Sequence, residues 1–364
     1  MLRTPQPLRQ RLTALGVVGA LALAACGGDD DDAGADEPAP TVAPSAAPEP
    51  TTAPEATAPA ATSDAPAATD PVAGDAATVE IVDAQGRTVE VPVNPETVVV
   101  MDWSAIRNLV ALGVEVDGAP AIVGTAPADL EDVVATAAPV GTLFEPDYEA
   151  IAALEPDLII VGSRSGTPEV VAEMEKISPA VVDLSVRYEH AEEQIPQFRE
   201  RTLQLASIFG KDAEAAEAID AIEAEIAEIA VQASESDLTA MFVQVSGGVV
   251  GAYGPGSRFG IVYDDFGLAP TDAPVDEEGS HGQEISQEFF VAYNPDVIYV
   301  LDRGKVVGEE GAPALEVLDN GLVNTTEAAA NDRIVEVDGF AWYIATYSIP
   351  SFQQIIADVR LGLS

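Results

Sequence analysis

Short apolar runs and amphipathic stretches alternate along residues 77–364. Alternating apolar positions flank Gln85-Gly86 within Val79–Val91, which predicts a β-hairpin. Beyond it, continuous apolar runs alternate with helix-periodic segments, an order typical of parallel α/β sheets. The predicted strands of this part are Val98–Met101, Ala121–Gly124, Leu158–Val161 and Val181–Leu184. The predicted helices are one that Ser104 caps and that runs to Leu112, then Tyr148–Leu154 and Glu169–Ile177.

Two long helical segments follow. The first spans Glu189–Phe209, and the second spans Asp212–Ser236. In the second, isoleucines recur at three- and four-residue steps over Ile219–Ile229, which places one apolar stripe on an acidic helix. About 25 residues at 1.5 Å each give a length of about 37 Å. A helix of this length between two α/β segments is suited to be a rigid spine that joins two lobes.

The α/β alternation then returns. The predicted strands are Ala240–Val245, Val297–Leu301 and Ile334–Val337, and the predicted helices are Phe259–Phe266, Gln287–Tyr293, Leu315–Asp319 and Ser351–Leu363, with a glycine-rich loop at Gly247–Gly260. We therefore predict an α/β fold with two Rossmann-like lobes, at 77–211 and 237–364, joined by a single long spine helix at 212–236.

An internal repeat relates the two predicted lobes. Tyr148–Arg164 aligns with Gln287–Arg303 without a gap. In each copy a helix ends at Pro-Asp, an apolar strand follows, and an arginine stands seven residues after the aspartate. Ligands of α/β sheets bind outside the carboxyl ends of the strands, so Arg164 and Arg303 are predicted to point into one cleft. The alternative is that each arginine caps its strand or pairs with a surface acid.

The first 76 residues differ in composition from the rest. Three arginines precede an apolar stretch at residues 12–24, which predicts a signal peptide over 1–25. The stretch ends in Leu-Ala-Ala-Cys26, which matches the lipobox of bacterial lipoproteins, so Cys26 is the predicted lipidation site. Residues 26–76 lack Lys, Arg and aromatic residues, and they are predicted to form a disordered acidic Ala/Pro/Thr tether. We therefore expect an extracytoplasmic protein that is lipid-anchored to the cell membrane.

Charge and residue counts exclude several function classes. The chain has 16 Lys and Arg against 62 Asp and Glu, so it lacks the basic surface that a nucleic acid requires. Its two histidines, His190 and His281, are too few for a multi-histidine zinc site. Gly162–Gly166 has Arg where a nucleophile elbow has Ser, and the glycines of Gly254–Gly260 miss the dinucleotide spacing. No enzyme and no catalytic residue is expected.

These motifs resemble those of the binding proteins of iron–siderophore and cobalamin importers. Such proteins have the class III periplasmic-binding-protein fold, with two α/β lobes joined by one long helix. The resemblance covers residues 77–364. The second half of the chain is more specifically similar to the petrobactin- and enterochelin-binding lipoproteins. The motifs that match are Tyr253–Gly260, His281-Gly282, Asn294–Asp296, Asp302-Arg303, Leu318–Asn320 and Trp342-Tyr343.

The resemblance implies a ligand site. In that subfamily three arginines surround a ferric catecholate, and a histidine and a tyrosine complete the iron coordination when the siderophore supplies only four donors. The matching residues here are Arg164, Arg258 and Arg303 for the ligand, with His281 and Tyr343 for the metal. Guanidinium groups stay charged and offer donors in a fixed fork, which suits catecholate oxygens.

One segment departs from the subfamily pattern. The stretch after Trp-Tyr is usually glycine-rich, whereas this chain has Ile344–Ser348, which could alter the pocket wall or place Tyr347 near the ligand.

The implied function is extracytoplasmic binding of a ferric, catecholate-type siderophore and its delivery to an ABC importer. The implied partners are the Fe(III)-siderophore, the permease and ATPase subunits, and the membrane through the lipid anchor; we expect a monomer without an intrinsic cofactor. A haem- or cobalamin-binding transport protein of the same fold is the alternative, and it would use aromatic and apolar pocket walls more than arginines. A scaffold lipoprotein would show no saturable binding of a small ligand.

Overall fold

The computed structural model describes residues 77–187, 190–275 and 282–364. The predicted signal peptide, the predicted tether with Cys26, and His281 therefore lie outside the described residues. Within the described ranges, no helix is both long enough and apolar enough to cross a lipid bilayer.

The first lobe is built on a parallel sheet that follows an antiparallel hairpin. The hairpin pairs β1 (Thr78–Val82) with β2 (Thr88–Pro92), as predicted. The sheet consists of β3 (Val98–Met101), β4 (Gly118–Ala119), β5 (Ala138–Pro139), β6 (Leu158–Val161) and β7 (Val181–Asp183), in the spatial order β5-β4-β3-β6-β7. Its helices are α1 (Trp103–Ala111), α2 (Glu131–Thr136), α3 (Tyr148–Ala153), α4 (Pro168–Met174) and α5 (Gln194–Ile208), with 3₁₀ turns at Ala128–Leu130 and Ala191–Glu193.

Two local predictions for the first lobe are wrong. Asp102, and not Ser104, caps α1, because its Oδ1 accepts a hydrogen bond from the Ala105 amide at 2.9 Å. The strand expected at Ala121–Gly124 lies at Gly118–Ala119 instead. A Cβ on Gly118 would lie only 2.9–3.1 Å from three neighbouring side chains, so this strand position needs a glycine, a residue of low β propensity.

A long helix, α6 (Asp212–Glu235), follows the first lobe and spans 24 residues, or about 36 Å. Its apolar stripe is confirmed, because Ile219, Ile222, Ile226 and Ile229 are all buried. They pack in the same apolar cluster as the helix-facing side of the second sheet. The stripe therefore fixes the helix to the second lobe.

The second lobe is built on a mixed sheet. Its strands are β8 (Thr239–Ser246), β9 (Val249–Tyr253), β10 (Ala269–Pro270), β11 (Gln283–Ile285), β12 (Val297–Asp302) and β13 (Ile334–Glu336). The order is β11-β9-β8-β12-β13, with β10 also on β8; β8, β10, β12 and β13 are parallel, while β9 and β11 run antiparallel to their neighbours. Its helices are α7 (Ile261–Asp264), α8 (Gln287–Tyr293), α9 (Arg303–Val307), α10 (Ala314–Leu318), α11 (Glu327–Ala330) and α12 (Ile349–Gly362), with a 3₁₀ turn at Val323–Thr325.

The predicted loop at Gly247–Gly260 is partly wrong, because it contains strand β9. Gly247 and Gly248 have φ values of 58° and 81°, which is the conformation of a two-residue hairpin turn, and β9 then pairs back along β8. The glycine content marks this hairpin turn and, further on, a shorter loop from Gly254 to Gly260.

The chain returns to the first lobe after β13. A π-helical turn, Phe340–Ile344, contributes Trp342 to the core of the second lobe. Phe340, Ile344 and Ala345 pack instead with the core of the first lobe. This turn is therefore a place where the two lobes are in contact, and it lies at the carboxyl edges of both sheets.

Candidate functional site

Arg164 lies on a tight turn directly after β6. The Ser165 hydroxyl donates to the Met101 carbonyl at 2.6 Å and accepts from the Gly162 amide at 3.1 Å, which fixes the turn to the end of β3. A Cβ at Gly162 would lie 2.2 Å from the Asp102 carboxylate, so only glycine fits there. The local fold thus presents Arg164 at the carboxyl edge of the first sheet.

The guanidinium of Arg164 reaches the π-helical turn. Its Nη1 donates to the Ile344 carbonyl at 3.0 Å, and its Nη2 donates to the Tyr343 carbonyl at 2.6 Å. Its central carbon is 5.4 Å from the centre of the Tyr343 ring.

Arg258 lies on the glycine-rich loop after β9. Its neighbours Ser257 and Phe259 are buried, and Phe259 stacks on Phe242 at 4.5 Å, so the loop is anchored on both sides of the arginine. The Arg258 side chain is exposed and lies over the rings of Phe259 at 4.9 Å and Tyr343 at 4.4 Å. Among the described residues, no hydrogen bond or ion pair involves this guanidinium. Its charge is therefore available to a ligand.

Arg303 opens α9 at the end of β12. Its Nε donates to the Tyr343 hydroxyl at 3.2 Å, and its Nη1 donates to the Ser246 hydroxyl at 3.0 Å. The same Nη1 forms an ion pair with Glu309 at 2.8 Å. Asp302 caps α9 and thereby fixes the residue from which this side chain extends.

The structure brings the three predicted ligand-binding arginines together around one aromatic ring. The guanidinium carbons of Arg258, Arg164 and Arg303 lie 4.4, 5.4 and 5.8 Å from the centre of the Tyr343 ring. These are distances at which a cation interacts with a ring face. Two arginines from the matched repeats and one from the glycine-rich loop thus form one positive cluster.

The positive cluster changes the acidity of its members. Burial alone would raise the pKa of the Tyr343 phenol, but the hydrogen bond from Arg303 and the charges of the three arginines lower it below its ordinary value. Burial lowers the pKa of the Arg164 guanidinium, and the like charge of Arg258 adds to this effect. Hydrogen bonds to Tyr343 and Glu309 raise the pKa of Arg303. The cluster therefore stabilises the phenolate form of Tyr343 more than water stabilises that of an ordinary tyrosine.

The periplasmic binding protein family model matches residues 98–339, which is more than half of the chain. The chain belongs to this family.

Individual relatives agree with this membership. The chain is 32% identical over 280 residues to the petrobactin-binding protein YclQ of Bacillus subtilis, covering 75% of this chain and 84% of that protein. It is 30% identical over 225 residues to the ferric-anguibactin-binding protein FatB of Vibrio anguillarum, covering 61% and 68%.

Solved structures show the same fold. The crystal structure of YclQ superposes with a TM-score of 0.72 at 29% identity, covering 79% of this chain and 99% of that one. The periplasmic catecholate-siderophore binding protein VctP of Vibrio cholerae gives a TM-score of 0.70 at 31% identity, covering 78% and 99%. The predicted two-lobe class III fold is thereby confirmed.

The other predicted site residues of this family member have different outcomes. His281 and Cys26 lie outside the described residues. The neighbour of His281, Gly282, lies against Tyr253, since a Cβ there would be 2.7 Å from that ring. Tyr347 is half-buried, and its hydroxyl donates to Gln194 Oε1 at 3.3 Å, so a place for it near the ligand stays a prediction.

Sequence reasoning missed the groups that hold the cluster in place. Ser246 and Glu309 bind Arg303, and Asp102 acts on the charge of Arg164. Nothing in the sequence marks Glu309 among so many acids. Phe259 lies within the Tyr253–Gly260 motif, directly after Arg258. This position next to the arginine was the sequence signal that its ring would contact the guanidinium.

A separate cavity of about 460 Å³ lies between the lobes. It is lined by Val123–Pro127 of the first lobe, by Lys305 and Val306, and by Glu336–Phe340 of the second. None of the three arginines lines it. Its carboxylates are used in main-chain and side-chain hydrogen bonds, for example Asp338 with the Ala341 amide at 2.7 Å. This cavity is therefore poorly suited to an anionic ligand, and the arginine cluster is the better candidate site.

Proposed function

We propose that this protein binds a ferric siderophore of the catecholate type outside the cytoplasm and delivers it to an ABC importer. The observation that carries the proposal is the convergence of Arg164, Arg258 and Arg303 on the ring of Tyr343. In a chain with a net charge of −46, three guanidinium groups at one point need a specific anionic partner.

A ferric tris-catecholate meets this requirement. It is a trianion whose charge is concentrated on the catecholate oxygens, and charge-assisted hydrogen bonds to such oxygens are about twice as strong as neutral ones. The acidic surface opposes an anion at long range, but salt screens that opposition beyond about 10 Å. Arg258 forms no hydrogen bond or ion pair with the part of the chain that the structure describes, while Arg303 and Arg164 each retain N–H groups beyond those that bind protein atoms.

Tyr343 and His281 are the proposed iron ligands when the siderophore leaves coordination sites open. A phenol of lowered pKa releases its proton to solvent more readily than an ordinary tyrosine when its oxygen binds ferric iron. In support of His281, its neighbour Gly282 lies against Tyr253. Burial raises the pKa of Tyr253, and the charges of Arg258 and Arg303 act in the opposite direction, so this tyrosine lies within the influence of the cluster.

The relatives support the same ligand class. Their names specify petrobactin, ferric anguibactin and a catecholate siderophore as what they bind. The protein itself brings no cofactor in this proposal, because the iron arrives as cargo in the Fe(III)-siderophore. Among the described residues, no group of three or more His, Cys, Asp or Glu side chains could hold a metal ion.

The remaining parts of the chain are assigned by the same proposal. Residues 1–25 direct export, Cys26 carries the lipid anchor, and residues 26–76 hold a two-lobed monomer (77–211, 212–236 and 237–364) away from the membrane. The loaded protein then docks on the permease and ATPase of an importer.

Quenching of tryptophan fluorescence tests the proposal. Trp342 is next to Tyr343 in the chain, so a bound, strongly absorbing ferric complex should quench it. We would titrate the protein with a ferric tris-catecholate, a ferric bis-catecholate and a ferric hydroxamate. The same titrations would be run on Arg258→Ala/Arg303→Ala and on the control Arg360→Ala, which removes an arginine paired with Glu225 and Glu228 on α6.

We expect submicromolar binding of a catecholate complex, a loss of about 100-fold or more in the double variant, and no change in the control. Catecholate binding that is absent, or unaffected by the loss of both arginines, would contradict the proposal. Saturable binding of haem or cobalamin in parallel titrations would then favour the alternative ligand class of the same fold.

A further inference from the structure

Arg164 differs from the other two arginines in what it binds. Both of its terminal nitrogens donate to main-chain carbonyls, those of Tyr343 and Ile344, at 2.6 and 3.0 Å. Arg258 has ring contacts, and Arg303 bonds to side chains. A planar guanidinium is well suited to two acceptors side by side, and an ammonium is not.

The carbonyls that Arg164 binds lie at the end of the π-helical turn, where the helix provides no donors for them. The neighbouring carbonyls are satisfied locally: the Thr346 hydroxyl donates to that of Trp342 at 3.0 Å, and the Ser351 hydroxyl donates to that of Ala345 at 2.5 Å. The carbonyls of Tyr343 and Ile344, which lie between these two, accept hydrogen bonds from the guanidinium of Arg164, a residue about 180 positions earlier in the chain. Apart from Arg164, no described side chain donates a hydrogen bond to either carbonyl.

The chain also changes from one core to the other at this point. Trp342 is 1% exposed in the second-lobe core, whereas Ala345, three residues later, is fully buried in the first-lobe core. Tyr343 stands between them with its ring turned towards Arg258 and Arg303. The orientation of its ring therefore depends on how the main chain is held at the crossing.

We infer that Arg164 is a positioning residue for Tyr343. By holding the carbonyls of Tyr343 and Ile344, it fixes the phenol between Arg258 and Arg303. It thereby sets the preference of the site for ferric complexes that leave iron coordination open. The consequence for binding rests on the proposed function, whereas the positioning itself does not.

The substitution Arg164→Lys separates position from charge. Lysine retains the positive charge but offers a single ammonium on a flexible stem, so it cannot hold both carbonyls in the same geometry. If Arg164 acts only through its charge, the lysine variant will resemble the natural protein. If it positions Tyr343, the lysine variant will resemble Arg164→Ala. Arg360→Lys is the matched control, because it makes the same exchange at an arginine outside the cluster, whose described hydrogen bonds go to the side chains of Glu225 and Glu228.

The first measurement uses the ligand-free protein. With 3-fluorotyrosine in place of its tyrosines, the ¹⁹F resonance of residue 343 is identified by its absence in Tyr343→Phe. We expect one narrow line in the natural protein and in Arg360→Lys, and a broadened or split line in Arg164→Lys. A line that stays single and narrow in Arg164→Lys would overturn the inference, whether or not any siderophore binds.

The second measurement is a double-mutant cycle on ligand preference. We expect Arg164→Lys to reduce the preference for a ferric bis-catecholate over a ferric tris-catecholate by about tenfold. The effect should disappear in a Tyr343→Phe background, because the phenol that was positioned is then absent. Unchanged binding of both complexes would mean that Arg164 contributes only charge, and equal weakening of both would mean that it only donates hydrogen bonds to the ligand; either result overturns the inference. Binding of neither complex by the natural protein would count against the proposed function alone.

Discussion

The segments Tyr148–Arg164 and Gln287–Arg303 are two copies of one structural unit. Residues 152–161 and 291–300 have the same sequence of exposed, intermediate and buried positions. Glu155 and Asn294 both have positive φ, at 50° and 39°, directly before the proline. The two lobes therefore share the same helix–strand backbone, including the residue with positive φ before the proline. We call this shared backbone the frame, and it places an arginine at the edge of each sheet.

The copies diverge immediately after the strand. In the first lobe the chain makes the tight turn Gly162–Gly166, and Arg164 ends on main-chain carbonyls. In the second lobe Asp302 starts helix α9, and Arg303 ends on the hydroxyl of Tyr343 and on Glu309. The repeat thus sets where each arginine stands, and the segment that follows determines what it binds.

The largest expected effect on stability is at Gly162, where close packing requires the tight turn that distinguishes the first copy from the second. In Gly162→Ala the new methyl group would lie 2.2 Å from the Asp102 carboxylate, which caps α1 and cannot move away freely. In Gly304→Ala the nearest atom is 3.5 Å away, and the residue is helical. We expect Gly162→Ala to lower the free energy of unfolding by about 3 kcal/mol. Gly304→Ala should be neutral or raise it by up to about 1 kcal/mol.

Urea unfolding followed by circular dichroism measures both variants. Equal stabilities would mean that the turn after β6 adapts easily, and the difference between the lobes would then lack a steric origin. Siderophore titration of Gly304→Ala provides the control that changes near Arg303 are tolerated.

A smaller effect on stability is expected at the aspartate that follows the proline in each copy, Asp157 and Asp296. Asp157 accepts hydrogen bonds from the amides of Glu96 and Thr97 at 3.0 and 2.9 Å. Asp296 accepts from the amide and hydroxyl of Thr239 at 2.9 and 2.8 Å. Each carboxylate fixes the start of the neighbouring parallel strand.

Asp157→Ala and Asp296→Ala should therefore each cost about 1–2 kcal/mol of unfolding free energy. Thermal unfolding of the two variants under one set of conditions checks this. Costs that differ by more than about 1 kcal/mol would show that the repeated aspartates no longer have equivalent roles.

Much of this frame could be predicted from sequence because it depends on local patterns. The apolar runs of β3 and β6, the stripe of α6 and the Pro-Asp repeat all follow from neighbouring residues, and the structure has them as predicted. The hairpin turn at Gly247-Gly248 was not predicted, because the sequence alone does not distinguish its glycines from those of the loop that follows β9.

The roles within the site could not be predicted in the same way. The partners of Arg164 lie about 180 residues further along the chain, and two partners of Arg303, Ser246 and Tyr343, are 57 and 40 residues away; hydrogen bonds over such separations leave no periodic signal. The family resemblance identified the three arginines, but it did not indicate that two carbonyls would bind one of them.

The smallest expected effect concerns Glu309, the ion-pair partner of Arg303; within the described ranges, Arg164 has no corresponding ion pair. Glu309 pairs with Arg303 at 2.8 Å and is about half exposed, so the pair itself contributes little to stability. An anionic ligand must share Arg303 with this carboxylate and approach its negative charge. Glu309→Gln should therefore tighten ferric catecholate binding by about threefold at low salt, and by less at high salt, because salt screens exposed charges. Glu225→Gln, which removes an acid paired with Arg360 on α6, should leave the affinity unchanged. Weaker binding in Glu309→Gln would instead mean that the glutamate orients Arg303 for the ligand, in which case both matched arginines would depend on partners that position them.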